Sequence, residues 1–186
     1  MTIINFNDNF SGFEDGEDIF LDTGVLLAYL NKYDCWSTTI NTLFIKYILE
    51  TDNELHLYIS AAILNEITNL LGKSKPTKEY MKKHPDHSIT DEEIVRVEKE
   101  AIEQLRILIE NDVIEFLNIG KEAYLKQLEL YKTFGAADAI NALIANEHGI
   151  SFLTVDNKLM ENLKKNTDKI KNIHNLYYTT PEYTDY

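Results

Sequence analysis

Short apolar runs that alternate with helix-like segments constrain the fold of this chain most strongly. Between the runs, apolar residues recur every three or four positions, a spacing typical of amphipathic helices. Strands that alternate with helices favour a parallel sheet covered on both faces. We therefore predict an α/β fold with a parallel sheet of about five strands, for which the candidates are residues 19–21, 55–59, 113–117, 151–155 and 173–178.

The 186-residue length allows one well-packed domain, and no clear boundary divides it. Residues 1–17 are polar and are expected to form a loose arm or a peripheral strand. Residues 73–90 contain two prolines and many lysines, which favours a loop or a mobile insertion. No apolar run approaches the ~20 residues that span a bilayer. The single cysteine, Cys35, and the lack of a signal-like start predict a cytoplasmic protein.

The net charge of −13 excludes the basic composition of a generic nucleic-acid binder. Contact with a polyanion would therefore depend on local positive patches or on metal ions. Ten of the 18 basic residues lie in two segments, of which Lys73, Lys75, Lys78, Lys82 and Lys83 form the first and Lys158, Lys164, Lys165, Lys169 and Lys171 the second. Solvated surface explains each segment equally well. Lys73, Lys75 and Lys78 are the candidates for contacts with backbone phosphates.

Four carboxylates occur where the pattern otherwise predicts burial. Asp22 directly follows the first predicted strand, and Asp156 directly follows the fourth. Asp138 lies in the first turn of an Ala/Ile/Leu-rich helix, and Glu66 lies within the apolar stripe of the helix after the second strand. In an open parallel sheet, ligands bind beyond the carboxyl ends of the strands. If the strands are neighbours, all four acids converge on one rim of the sheet.

Each of these acids also has an ordinary structural explanation. Asp156 and Asp22 can cap helices, Asp138 suits the positive end of a helix dipole, and Glu66 can reach solvent or pair with a lysine. None of these explanations accounts for a common position. Carboxylates packed together repel one another, and a divalent cation removes that penalty. Oxygen donors without His or Cys favour Mg²⁺ or Mn²⁺ over zinc, and such a centre suits phosphoryl chemistry.

Four short segments, in this order, resemble the PIN-domain ribonucleases, including the VapC-type toxins of bacterial toxin–antitoxin pairs. They are Phe20-Leu21-Asp22-Thr23, Leu64-Asn65-Glu66-Ile67, Ala137-Asp138-Ala139 and Leu153-Thr154-Val155-Asp156, and Thr180-Pro181-Glu182-Tyr183 resembles the usual end of the domain. The resemblance covers residues 18–183, which leaves 1–17 as an N-terminal arm and places a helical insertion at about 73–110. The arm, the insertion and the acidity of the chain depart from a compact PIN toxin.

The resemblance implies a three-layer α/β/α sandwich and Mg²⁺- or Mn²⁺-dependent cleavage of single-stranded RNA. Asp22, Glu66, Asp138 and Asp156 are then the metal ligands, and Thr154 supports the site. The implied reaction is in-line attack of an activated water on a phosphodiester, which leaves a 5′-phosphate and a 3′-hydroxyl. An antitoxin protein is a candidate partner, and the apolar faces of the early helices are candidates for a homodimer contact.

Two other functions remain open. The first is a PIN-like scaffold that binds RNA or a protein without cleaving it. The second is a phosphatase of the haloacid-dehalogenase type, since Leu21-Asp22-Thr23-Gly24 resembles its nucleophile loop. That family needs a second Asp two residues after the first, and Gly24 occupies this position. Neither alternative accounts for the complete set of four acids.

Overall fold

A single parallel sheet runs through the centre of the protein in this computed structural model, which describes residues 1–186. Its six strands are β1 (Thr2–Asn5), β2 (Glu17–Leu21), β3 (Leu55–Ile59), β4 (Ile114–Phe116), β5 (Ser151–Leu153) and β6 (Asn175–Tyr178). They stand side by side in the order β1-β6-β5-β2-β3-β4. All five predicted runs are confirmed as strands, and β1 adds a sixth strand at the edge beside β6.

Eight α-helices flank the sheet, which gives the α/β/α architecture. They are α1 (Thr23–Leu30), α2 (Ser37–Phe44), α3 (Ala61–Gly72), α4 (Lys75–Lys83), α5 (Asp91–Glu110), α6 (Lys121–Phe134), α7 (Ala136–His148) and α8 (Asn157–Lys165). A π-helical turn, Ile45–Leu49, extends α2, and a 3₁₀ turn, Pro181–Tyr183, lies near the C-terminus. None of the eight combines a membrane-spanning length with sufficient apolar character.

The central strands β2 and β5 are apolar along their inner length. Ile19, Phe20 and Leu21 in β2, and Phe152 and Leu153 in β5, have no exposed surface. Helices cover both faces of these strands, which is why they are continuous apolar runs rather than alternating ones. Leu21 stands opposite Leu153 in the ladder. The residues that follow the two strands are therefore neighbours at the carboxyl edge of the sheet.

The prediction of a loop over residues 73–90 was wrong for its first half, where helix α4 forms. Ser74 precedes the helix in the left-handed region, with a φ of 54°, and Pro76 lies in the first turn. Proline is tolerated there because the first N–H groups of a helix have no intrahelical partner. Pro76 and Thr77 are buried and anchor α4, which packs against α3.

The N-terminal arm contributes both an edge strand and core contacts. After β1, the rings of Phe10 and Phe13 meet the ring of Tyr177 edge to face. Phe6 and Phe13 are buried against the sheet. The division of the chain into an arm, a domain over 18–183 and an insertion over about 73–110 stays a prediction.

Candidate functional site

The carboxyl edge of β2 and β5 positions two of the predicted site residues. Asp22 directly follows β2, and its backbone N–H donates to the carbonyl oxygen of Leu153 at 3.0 Å. Thr154 directly follows β5, and its hydroxyl donates to Asp22 Oδ2 at 2.7 Å. The pairing of the two strands thus continues one residue past their ends and holds Asp22 beside Thr154.

All four predicted acids line one pocket at this edge. The pocket encloses about 160 Å³, and its lining consists of Asp22, Glu66, Asp138 and Asp156 together with Thr23, Gly24, Leu27 and Leu70. Two strand ends and the first turns of three helices meet here. The structure therefore brings the four acids to a common pocket, whereas their role as metal ligands stays a prediction.

Asp22 is the most buried of the four acids, with 5% of its surface exposed. Its Oδ1 accepts a hydrogen bond from the backbone N–H of Thr23 at 2.9 Å. Burial raises the pKa of Asp22 to about 7, although the hydrogen bond from Thr154 opposes the rise, and the charges of Asp138 and Asp156 add to it. Without a compensating cation, this carboxyl therefore holds its proton to a higher pH than an ordinary aspartate does.

Asp138 lies in the first turn of α7, close to a glycine with a backbone conformation that few other residues adopt. Gly135 has a φ of +102°, and a Cβ at this position would lie 3.0 Å from Asp138 Oδ2. Burial, together with the charges of Asp156 and Glu66, raises the pKa of Asp138 to about 6, and Lys158 opposes the rise. No hydrogen bond within the protein contributes to this shift. Both oxygens of Asp138 are therefore available to a ligand.

Glu66 faces the pocket from the second turn of α3. The hydroxyl of Thr23 donates to Glu66 Oε2 at 2.8 Å. Glu66 is half-buried, whereas Ile63 and Ile67 on the same helix are fully buried. Its partner is thus a hydroxyl rather than a lysine, and the carboxylate lies at the border of the apolar stripe, next to the pocket.

Asp156 combines a capping role with its position in the pocket. Its Oδ1 accepts from the backbone N–H of Leu159 at 2.8 Å, which caps α8. Its own backbone N–H donates to the hydroxyl oxygen of Thr154 at 3.0 Å. The prediction that Asp156 caps a helix is therefore confirmed. The cap uses only Oδ1, so the second carboxylate oxygen is free to bind a ligand in the pocket.

The donor set of the pocket fits a hard divalent cation. Every ionisable group in its lining is a carboxylate, and Mg²⁺ and Mn²⁺ prefer oxygen donors. The raised pKa values of Asp22 and Asp138 reflect burial and mutual repulsion, both of which a cation would offset. In this structure, no three His, Cys, Asp or Glu side chains lie close enough together to hold a metal ion. Coordination by three of the acids would therefore require their side chains to rotate towards one another.

The three lysines that the sequence suggested for phosphate contacts do not line this pocket. Lys78 Nζ donates to the carbonyl oxygen of Lys73 at 2.7 Å, at the end of α3. Lys75 Nζ lies 3.9 Å from Glu79 Oε1, one turn further along α4. Their contacts with phosphate stay a prediction, and the local partners account for their positions without a ligand.

Sequence reasoning missed two residues next to the acids. Lys158, in the first turn of α8, is close enough to Asp138 to lower its pKa. Thr23 holds Glu66 through its hydroxyl. The available signals were local: Lys158 comes two residues after Asp156, and Thr23 directly follows Asp22.

Gly24 weighs against a phosphatase of the haloacid-dehalogenase type. A Cβ at Gly24 would lie 2.9 Å from Val155 Cγ2, closer than such contacts normally come. The start of α1 therefore packs tightly on the end of β5, and a second aspartate has no room at this position.

Comparison with known proteins gives a family match and similarities to solved structures. The family model of the PIN domain matches residues 19–166, a range that includes the four acids and Thr154. No match is found among the curated proteins. Among solved structures, the chain is similar to one in the crystal structure of VapBC2 from Rickettsia felis bound to a DNA fragment from their promoter, with 14% sequence identity and a TM-score of 0.44. The similarity covers 86% of this chain and 98% of that chain.

Proposed function

This chain belongs to the PIN domain family, and from that premise we propose that it is a divalent-metal-dependent endoribonuclease that hydrolyses phosphodiester bonds of single-stranded RNA. One observation carries the proposal: four carboxylates from separate parts of the chain line a single pocket. Carboxylates that share a pocket repel one another unless protons or a cation neutralise them, and the buried Asp22 experiences this most strongly. A pocket of this composition suits the hydrolysis of phosphate esters.

Asp22, Glu66, Asp138 and Asp156 would hold Mg²⁺ or Mn²⁺. The ion would neutralise phosphate charge, lower the pKa of the attacking water and stabilise the leaving oxygen. The protein contributes the placement of the acids. Asp22 and Asp156 are held at adjacent strand ends, while Asp138 and Glu66 come from helices on either side of the pocket.

Two threonine hydroxyls orient these acids. Thr154 donates to Asp22 and accepts from the backbone N–H of Asp156, so one hydroxyl connects two of them. Thr154 is fully buried, and neither bond competes with bulk water. Thr23 orients Glu66 in the same way. We assign both threonines as positioning residues.

Incubation of RNA pools with Mn²⁺, followed by sequencing of the new ends, tests the proposal. We expect the wild type to leave 5′-phosphates and 3′-hydroxyls, and EDTA to abolish cleavage. Asp138→Asn should cut at least about 100-fold more slowly, because loss of one carboxylate removes several kcal/mol of transition-state stabilisation. Asp86→Asn, an exposed acid between α4 and α5, is the matched control and should cut like the wild type. Cleavage that persists in EDTA would contradict the proposal.

A non-catalytic PIN-like module that binds RNA or a protein is the second candidate. One observation favours it, namely that no three of the acids are close enough to hold an ion in this structure. Titration calorimetry with Mn²⁺ distinguishes the two candidates. If the protein is a nuclease, it should bind Mn²⁺ with a saturable heat signal, and Asp138→Asn should lose that signal. A scaffold has no need to bind the ion.

The proposal extends to the biological context of the chain as a cytoplasmic toxin with an antitoxin partner. Cys35 is the single cysteine, so the chain can form no internal disulfide, which fits a reducing compartment. Induced expression in a bacterial host should arrest growth with the wild type and not with Asp138→Asn. A homodimer through the early helices stays a prediction that light scattering would test.

A further inference from the structure

Helix α6 exposes an apolar and aromatic surface that nothing in the chain covers. Tyr124, Leu125, Leu128 and Tyr131 are 54%, 48%, 70% and 47% exposed. They account for four of the twelve large apolar side chains that are exposed in the whole protein. Positions 124, 128 and 131 recur on one side of the helix, so the two tyrosine rings and Leu128 form a single row.

The two helices α6 and α8 carry an excess of basic residues, in a chain that is otherwise strongly acidic. Helix α6 contacts α8. Together the two helices carry six lysines and three glutamates, whereas the whole chain has a net charge of −13. Lys132 Nζ lies 5.8 Å from the centre of the Tyr131 ring. A partner that meets this surface should therefore be anionic and should present flat apolar groups.

Helix α6 is also tied to the start of α7, the helix that brings Asp138 to the acid pocket. Gln127 Nε2 donates to the carbonyl oxygen of Ala136 at 2.9 Å, which ties α6 to the first residue of α7, two positions before Asp138. Asp156 caps α8 from the pocket, and Lys158 follows in the first turn of that helix. Lys158 is thus the first lysine of α8 after the pocket residue Asp156, and its charge acts on the carboxylate of Asp138.

We propose that the α6–α8 surface, defined by Tyr124, Leu128, Tyr131, Lys132 and Lys158, is the track along which single-stranded RNA enters the acid pocket. Unpaired bases stack on the two tyrosine rings, and the lysines contact backbone phosphates. Exposed aromatic rings suit single strands because the bases of a duplex are already stacked on one another. A protein partner is disfavoured because the cores of protein interfaces are depleted in lysine.

This inference rests on the proposed nuclease function for its substrate, and a binding assay tests it separately. Fluorescence anisotropy of a labelled single-stranded RNA is measured with the full-length protein in EDTA, where no cleavage is expected. Tyr124→Ala combined with Tyr131→Ala should weaken binding by about 25-fold, since each stacked base contributes about fivefold or more. Tyr124→Phe combined with Tyr131→Phe keeps both rings and should bind within about twofold of the wild type.

The lysines are tested through the salt dependence of the same binding. Lys132→Gln combined with Lys158→Gln should flatten the plot of log affinity against log salt by about 1.4, or about 0.7 for each phosphate that the protein no longer neutralises. The matched control removes the same charge elsewhere, as Lys82→Gln combined with Lys83→Gln at the end of α4, and should leave the slope unchanged. A duplex of the same sequence should bind more weakly than the single strand.

Three results would overturn the track. The first is unchanged affinity in the double alanine variant. The second is an equal loss of salt dependence in the α4 control. The third is conversion of a dimer to a monomer by the alanine pair with RNA affinity intact, which would identify this face as a contact between two copies.

Cleavage assays on the same proteins separate this inference from the nuclease proposal. A wild type that binds RNA through this surface but cuts nothing in Mn²⁺ supports the track and refutes the nuclease. Alanine variants that bind and cut like the wild type refute the track and leave the nuclease in place.

Discussion

Strand β2 has a buried carboxylate near each end, and the two have opposite surroundings. Glu17 begins the strand and is 6% exposed, and Asp22 follows its last residue and is 5% exposed. Glu17 Oε1 accepts from the hydroxyl of Ser151 at 2.5 Å, from Asn175 Nδ2 at 3.1 Å and from the hydroxyl of Tyr177 at 2.8 Å. At the other end, Asp22 accepts from one threonine backbone N–H and one threonine hydroxyl, and faces other acids.

The comparison shows that two equally buried carboxylates in one strand can have opposite electrostatic surroundings. Neutral donors surround Glu17, and its second oxygen also accepts from the backbone N–H of Glu14 at 2.9 Å. Such bonds satisfy the carboxylate within the protein. Asp22 has fewer donors, and the charges of Asp138 and Asp156 raise its pKa further. An external positive charge at the pocket would offset the repulsion in the second arrangement, as we propose for Mg²⁺ or Mn²⁺.

The largest expected effect concerns the stability of the metal-free protein. The pKa of Asp22 rises from 3.8 to about 7 on folding, so the native state holds this proton more tightly than the unfolded state does. Below pH 3.8, Asp22 therefore makes its full contribution to the free energy of unfolding. As the pH rises towards 7, this contribution falls by about 4 kcal/mol in total. Asp22→Asn carries no charge and should be more stable than the wild type in EDTA at about pH 8. Urea unfolding across this pH range measures the difference in stability. If the wild type and Asp22→Asn showed the same pH dependence, Asp22 would not be destabilised by its charge, and its contrast with Glu17 would be lost.

Mn²⁺ should stabilise the protein through the acids at the Asp22 end of β2 and not through Glu17 at the other end. At a free ion concentration of about 100 times the dissociation constant, the wild type should gain about 2.7 kcal/mol. Asp138→Asn should gain much less, while Glu17→Gln should gain as much as the wild type, because its carboxylate lies at the other edge of the sheet. Thermal melts with and without Mn²⁺ measure the gain. An equal gain in Asp138→Asn would place the ion elsewhere.

Glu17→Gln should destabilise the protein with little effect on RNA cleavage. The new amide would place a donor where the backbone N–H of Glu14 or the hydroxyl of Tyr177 already donates. Leaving one such buried group unpaired costs about 2 kcal/mol. The urea midpoint measures this loss, and Asp18→Asn, a partly exposed neighbour in the same strand, is the control. Unchanged stability would mean that the donors around Glu17 do not depend on its charge.

The smallest expected effect is on the threonine that joins two of the acids. Thr154→Val keeps the shape of the side chain but removes the bonds to Asp22 and to the backbone of Asp156. Cleavage should fall by about tenfold, the lower end of the effect of losing a group that orients a metal ligand. Thr154→Ser restores the hydroxyl and should recover most of the activity. Equal activity in the valine and serine variants would show that the hydroxyl does not orient the acids.

Much of the fold could be predicted because the signals are local. The apolar run before Asp22 and the one before Asp156 are strands, as predicted, and their order with the helices led to the parallel sheet. Helix α4 was missed because Pro76 and the neighbouring lysines resemble a loop, and the burial of Pro76 and Thr77 against the rest of the protein is not encoded in that segment. For the arm, the peripheral strand was one of the two predicted alternatives, and the pairing of β1 with a strand near the other end of the chain decides between them.

The sequence by itself determined which acids follow strand ends or open helices, since covalent spacing and hydrophobic periodicity fix both. Only the tertiary structure decided which of the chain's acids share a pocket and which are satisfied by neutral donors. Glu17 appeared to be one more polar residue of the arm, but its partners Ser151 and Tyr177 lie 134 and 160 positions away. Asp22 and Thr154 are 132 positions apart and come within 2.7 Å only because β2 pairs with β5. Such contacts depend on the packing of the whole sheet, where burial strengthens both the repulsion between carboxylates and the hydrogen bonds that offset it.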